Sequence, residues 1–351
     1  MTCLRGKPCL SVPRCPHLVD PAVSAEPPRG LVPTAPRRRV LSRLRTAVAP
    51  AWIAIATQAC DADKPAEWLT EDVARPRAFA PDVVSTGMRE YGITFSPDGR
   101  EAYFTRRGRR GPAQIFVTRY REGAWTDPSL IPFAGEHDES PSISRDGRTM
   151  IFASRRLMPG SGDRSDNLWV VRRSGVDWGI PSPLPGSVNQ PRSEADDFVT
   201  GTELGATLLT DLSILYWSRI DPDWGADIVR SELQPDGRYG PPVPLRINST
   251  GDEMNAVLSP DGQFIVFQAY RDASAPGGQD LYVSRRNEFG WGAPVLLPAP
   301  FNSPANDGYP SFSPDGRFFF FATDRDMQSG YYDIWYVEAA ALGLAELTHR
   351  P

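Results

Sequence analysis

The chain has 351 residues, 40% hydrophobic and 23% charged, a normal globular balance with room for two average domains or one large all-β domain. Its net charge of −5 is unevenly spread: residues 1–60 carry nine Lys/Arg against two acids, and the remainder 29 against 41. The body is therefore acidic, which argues against a nucleic-acid partner, since phosphate binding needs a basic surface.

Residues 1–39 are rich in Pro, Arg and Cys without apolar periodicity and read as a disordered or dispensable leader. All four cysteines (Cys3, Cys9, Cys15 and Cys60) precede residue 61, so the body has neither a disulfide nor a thiol nucleophile. Their spacing is not a usual zinc pattern, and no metal site or cofactor is expected. Residues 40–60 combine arginines with a short apolar run, Ala47 to Ala56, and small residues before Cys60. Basic, apolar and small-residue regions in that order describe an export signal. The apolar run is too short to span a bilayer. Residues 61–76 then read as a tether.

A repeat starts near Glu90. Ile93 to Gly99, Ser142 to Gly147, Ala256 to Gly262 and Ser311 to Gly316 are nearly the same phrase, each closing on Ser-Pro-Asp-Gly or Ser-Arg-Asp-Gly. Proline presets φ, aspartate accepts local backbone hydrogen bonds, and glycine takes the positive φ of a hairpin. An aromatic-rich strand follows each turn. A third strand comes next (Gln114-Ile-Phe-Val, Asn167-Leu-Trp-Val, Asp280-Leu-Tyr-Val, Asp333-Ile-Trp-Tyr), then Trp-x-x-Pro at Trp125, Trp178 and Trp291. Four strands repeated at this period predict a β-propeller.

The gap between Gly147 and Gly262 leaves room for one degenerate unit. Ser193 to Thr200 is expected to be its first strand and Asp211 to Arg219 its second, with about ten residues inserted at the hairpin, around Gly201 to Thr210. The prediction is an all-β propeller of five four-stranded blades over residues 77–340, six being the alternative, with a tail over 341–351. The last unit lacks its outer strand. Arg77 to Val84 sits where it can supply one, closing the ring without an open edge. The protein is expected to be monomeric.

These phrases resemble the WD40-like repeats of the TolB-type propeller family, which are marked by Ser-Pro-Asp-Gly, Phe-x-Ser-x-Arg and Asp-Ile-Tyr. The resemblance covers residues 77–337 and implies the fold, not a particular partner. TolB itself has six blades and an extra α/β domain, neither of which is visible here. Separately, Cys60 after Ala59 resembles a bacterial lipoprotein signal, which implies lipidation at Cys60 and a periplasmic or envelope-anchored protein.

Aligning the blades brings an acid to the start of every first strand: Glu90, Asp138, Glu194, Glu253 and Asp307. Arginines recur at the end of the second strand: Arg107, Arg155, Arg219, Arg271 and Arg325. Strand alternation puts both sets on one face, around one mouth of the channel. They are candidate ligand- or partner-binding residues; the alternative is that they pair with each other and brace the loops, as guanidinium forks match carboxylates. Glu139, Asp196, Asp197, Asp252, Asp272 and Asn306 on that face are not repeated, and Trp224, Tyr331 and Tyr332 lead into third strands there. His137 stands beside Asp138, but no catalytic set is evident. The expected function is non-enzymatic binding of a protein partner or small ligand at the acidic mouth. A carbohydrate-active hydrolase using mouth carboxylates and a structural module of an envelope assembly are the alternatives.

Overall fold

The hairpin turn is the unit from which the fold grows. In blade one the Ser96 hydroxyl donates to Asp98 at 2.6 Å, and Gly99 N–H closes the turn on the Ser96 carbonyl at 2.8 Å with φ of +70°. The Ser96 hydroxyl also accepts the Glu101 amide at 2.9 Å, so one side chain sets both turn and register. Ser144, Ser259 and Ser313 repeat the arrangement with Asp146, Asp261 and Asp315.

The structure is a computed structural model and describes residues 66–160, 162, 164–190, 202–218, 225–271, 275–326 and 331–344. Its strands form five antiparallel sheets, one per blade. The innermost strands are Arg89–Phe95, Asp138–Ile143, Glu203–Leu208, Asp252–Leu258 and Asp307–Phe312. Second and third strands follow outward in sequence order, and short outer strands such as Ser129–Leu130 and Ser182–Pro183 complete the blades. Buried aromatic and aliphatic side chains between neighbouring blades make the core, among them Phe152, Phe267 and the run Phe318 to Phe321.

Blade three corrects the sequence reading. Its first strand is Glu203–Leu208, paired with Ile214–Ser218 through the short turn 209–213. The residues taken for an inserted loop are therefore the strand and its turn, and Ser193 to Thr200 lies outside the described residues. Glu203-Leu-Gly-Ala-Thr repeats Glu90-Tyr-Gly-Ile-Thr, but Leu212 holds the turn at φ of +62°, where the other blades have glycine.

Every innermost strand carries a bulge, with a left-handed residue at Gly92, Ser140, Gly205, Asn255 or Tyr309. A bulge turns the strand and re-aims its side chains. At Gly205 a β-carbon would strike the Asn255 side chain, so glycine is required there by contact as well as by φ.

The ring closes as expected. Arg77–Ala78 pairs with the third strand of blade five, Arg77 opposite Tyr336 and Ala78 opposite Trp335. The tether assigned to residues 61–76 is corrected from Ala66 onward. Glu67–Thr70 forms a 3-10 turn, and Trp68 is 2% exposed among Phe79, Phe95, Trp125, Phe318 and Phe320. At the other end Leu342 of the 3-10 turn Ala339–Leu342 is buried, so the assigned tail also begins inside the packed unit.

Candidate functional site

The repeated acids are inside the protein. Glu90, Asp138, Glu253 and Asp307 are each 0% exposed, and so is Glu203, which holds the corresponding place in blade three. Glu194, expected there, lies outside the described residues, as do Arg219, Asp196, Asp197, Trp224, Asp272 and Cys60.

Each acid is tied to the connection that leads into its strand. Thr86 donates to Glu90 at 2.6 Å, and the Ser303 hydroxyl and amide donate to Asp307 at 2.8 and 2.7 Å. The arginines complete a clamp. Arg325 reaches Asp307 at 2.6 Å, donates to the Phe301 carbonyl at 2.7 Å and stacks on Phe321 and Trp335. Arg271 does the same more loosely, 3.8 Å from Glu253 and 3.1 Å from the Ile247 carbonyl, over Tyr282.

In blades one and two the clamp uses different arginines from those expected. Arg106, not Arg107, binds Glu90 at 2.8 Å, and Arg107 instead donates to Gly111 in an exposed loop. Arg156, not Arg155, forks onto Asp138 at 2.6 and 3.0 Å and holds the Phe133 carbonyl. In both blades the sequence offers two adjacent arginines. The one that stacks on the neighbouring aromatic rings, Phe104 and Phe116 or Phe152 and Trp169, takes the carboxylate.

A second repeated element was not legible in the sequence. Asn189, Asn248 and Asn302 each bridge the amide and carbonyl of one third-strand residue, Leu168, Ile228 or Leu281. The sequence signal that could have found it is an apolar residue followed by Asn after the outer strands of blades two, three and four, Val188-Asn189, Ile247-Asn248 and Phe301-Asn302.

The acids that open third strands stack against these clamps. Burial, then the neighbouring Glu90 carboxylate, pushes Asp333 up to about 6. One of its oxygens has no hydrogen-bond partner. A carboxyl raised above its unfolded value adds stability in acid and loses it as pH climbs through about 6. Asp333→Asn should therefore raise the melting temperature at pH 8, by about 1 kcal/mol of stability once solvent screening is allowed for, with no gain at pH 4. Thermal melts at the two pH values check this.

What the clamps leave at the mouth breaks the repeat. Tyr91 and Tyr309 lie with ring centroids 4.6 Å apart, and Tyr332 meets Tyr309 edge-on at 5.8 Å. The Arg89 guanidinium sits 5.0 Å over the Tyr332 ring, half-buried, and makes no ion pair among the described residues. Burial pushes all three tyrosine hydroxyls up, so they stay protonated donors. Tyr91 donates to Glu139 at 2.9 Å and Tyr332 to Gln279 at 2.7 Å. His137 Nε2 lies 2.8 Å from the other Glu139 oxygen. Burial alone would raise the Glu139 carboxyl, but the His137 and Tyr91 bonds outweigh it and hold the group below its ordinary value. Arg155 forks onto Asp166 at 2.9 Å on both oxygens. Asn306 is used internally, donating to Asp324 at 2.7 and 2.9 Å.

Beneath the tyrosines the channel narrows to a cavity of about 190 Å³ lined by all five innermost strands, including Gly92, Ser140, Gly205, Asn255 and Tyr309. A wider groove of about 750 Å³ opens beside the hairpin turns of blades three and four, lined by Leu215, Arg246, Pro260, Phe289 and Trp291.

No protein-family model matches the chain, and no curated protein matches it. Similar solved structures include TolB from Acinetobacter baumannii, at 15% identity over 72% of this chain with a TM-score of 0.43. The chain spans 55% of that protein's length. A putative TolB from Agrobacterium tumefaciens is 18% identical over 68% of this chain and 71% of its own, with a TM-score of 0.43. An alpha-L-arabinofuranosidase from Lactobacillus brevis is 12% identical over 73% of this chain and 91% of its own, with a TM-score of 0.44.

Proposed function

We propose that the protein is a non-enzymatic binding propeller that captures a protein partner at the mouth around Arg89 and Glu139, over the tyrosines Tyr91, Tyr309 and Tyr332, of which Tyr91 and Tyr332 are each 4% exposed. The observation that carries this reading is the division between repeated and non-repeated charges. The repeated carboxylates are spent on the brace, whereas Arg89 stands half-buried against tyrosine with no ion-pair partner among the described residues. Tyrosine and arginine around a partly desolvated centre are the composition of interaction hot spots. The tyrosines also floor the mouth above a small cavity, which suits a partner's surface side chains better than a deeply inserted substrate.

Capture from an envelope extract tests the reading, comparing native protein with Arg89→Ala. A hot-spot arginine should weaken retention of the partner by about tenfold or more. Equal retention would remove Arg89 from the interface, and with it the reading. A carbohydrate-active hydrolase, the second reading, would have to draw on Glu139 and Asp166, since the repeated acids are sealed within the clamps.

We also propose that the protein is exported and held at the envelope by lipid on Cys60, as the basic, apolar and small-residue order of residues 40–60 supports. Cys60→Ala should then move the protein from the membrane to the soluble fraction. An unchanged distribution would refute lipidation.

A further inference from the structure

His137, Glu139 and Asp166 converge in blade two, and no other blade brings such a set together among the described residues. His137 immediately precedes the strand Asp138–Ile143 and Glu139 is its second residue, and the two side chains meet. Asp166 arrives from the segment before the third strand. His137 Nε2 lies 2.8 Å from Glu139 Oε1 and 3.9 Å from Asp166 Oδ1, and the three donor atoms lie within 4.8 Å of one another. The corresponding strand positions in the other blades are Arg89 and Tyr91, Thr202 and Leu204, Asp252 and Met254, and Asn306 and Gly308, so the set is not part of the brace.

We propose that His137, Glu139 and Asp166 form a binding site for a divalent transition cation of the zinc type. A tetrahedral zinc ion with bonds of about 2.0–2.1 Å spaces its ligands roughly 3.3 Å apart. The two separations from His137, 2.8 and 3.9 Å, bracket that value, and the third pair lies within 4.8 Å. One imidazole and two carboxylates suit zinc, cobalt or manganese better than calcium, which prefers more ligands, all oxygen. His137 and Asp166 are 8% and 6% exposed, so a bound ion would be largely withdrawn from water. The surrounding bonds are those of an outer shell: Tyr91 fixes the second oxygen of Glu139, as donors around metal ligands do.

Arg155 occupies the place of the cation's charge. Its fork neutralises Asp166, yet its side chain is 51% exposed and can swing into solvent. Binding needs the Nε2 lone pair of His137, so a proton on that nitrogen moves to Nδ1 or to water. Three protein ligands leave a fourth position for water. The inference does not require the partner-binding reading, because metal binding is measured with no partner present.

The test is titration of the full chain with Zn²⁺ by calorimetry and with Co²⁺ by visible absorption. The chain carries Cys3→Ser, Cys9→Ser, Cys15→Ser and Cys60→Ser, so that thiols do not compete. One equivalent should bind, with the d–d bands of tetrahedral cobalt and no thiolate charge-transfer band. His137→Gln and Asp166→Asn should each weaken binding by about tenfold or more. Arg155→Ala should tighten it by about tenfold, since a competing charge is removed. This last variant keeps every ligand, so it reports even if a ligand variant misfolds. Absence of binding in the parent chain, binding unchanged by both ligand substitutions, or loosened binding in Arg155→Ala would each overturn the proposal.

Discussion

Replacing Arg156 by alanine should lower the stability of the propeller by about 3–5 kcal/mol, whereas Arg155→Ala, one residue away, should cost under about 1 kcal/mol. The difference lies in what each arginine leaves behind. Asp138 is 0% exposed and takes both of its strong charge-assisted bonds from Arg156. Without that guanidinium a buried carboxylate keeps only Gly135 N–H and must protonate or pull the loop apart. The Phe133 carbonyl loses a donor in the same step. Arg155 is half-exposed, and its removal opens the otherwise buried Asp166 to water. Urea unfolding of the two variants, with slopes compared to confirm two-state behaviour, checks the pair. Equal losses would mean that Asp138 is not held as described.

Trp68→Ala should cost a further large amount, about 3–5 kcal/mol. The indole contacts five aromatic rings drawn from the segment before blade one, from blade one and from blade five. Its Nε1 donates to the Gly99 carbonyl at 2.8 Å, which joins the 3-10 turn to the first hairpin. Arg317 of blade five reaches the Leu69 carbonyl from the opposite side at 3.0 Å. The segment thus seals the seam where first and last blades meet, a seam that the two-residue outer strand alone covers thinly. Trp68→Phe should keep most of the burial and lose mainly the indole bond, roughly 1 kcal/mol. A thermal melt that hardly moves for Trp68→Ala would show that the ring closes without this segment.

The repeat made most of the fold legible. Ser-Pro-Asp-Gly states a turn through chemistry that acts within four residues, and its recurrence counts the blades. Blade three was displaced in the reading because its turn, Leu209-Thr-Asp-Leu212, has neither proline nor glycine, while Glu194 to Asp197 offered more acids to align. Trp68 was missed for a different reason. A lone tryptophan in a polar stretch has no periodicity, and two of the rings it packs on, Phe318 and Phe320, are more than two hundred residues away. The candidate site was legible only as a face. Sequence alignment finds what recurs, and the repeated acids and arginines turned out to be consumed in clamps. Choosing between Arg106 and Arg107, or Arg155 and Arg156, depends on ring stacking across the sheet, which spacing alone does not show. The convergence of His137, Glu139 and Asp166 joins a strand to the segment before another strand, so no short motif could announce it.

A division of labour, in which repeated charges hold the fold and non-repeated ones are left for binding, underlies the proposed function. Urea unfolding of Arg89→Ala beside Glu253→Gln tests it most directly. Among the described residues Arg89 meets the Tyr332 ring and makes no ion pair, so Arg89→Ala should stay within about 1 kcal/mol of the native protein, the value of an exposed cation–π contact. Glu253 is 0% exposed and receives the Ser249 amide at 2.8 Å and hydroxyl as well as Arg271. Glu253→Gln should lose about 2 kcal/mol or more as charge-assisted bonds become neutral and an amide donor faces the Arg271 and Ser249 donors. That ordering is the predicted result. Arg89→Ala as destabilising as Glu253→Gln would make Arg89 one more brace and contradict the account.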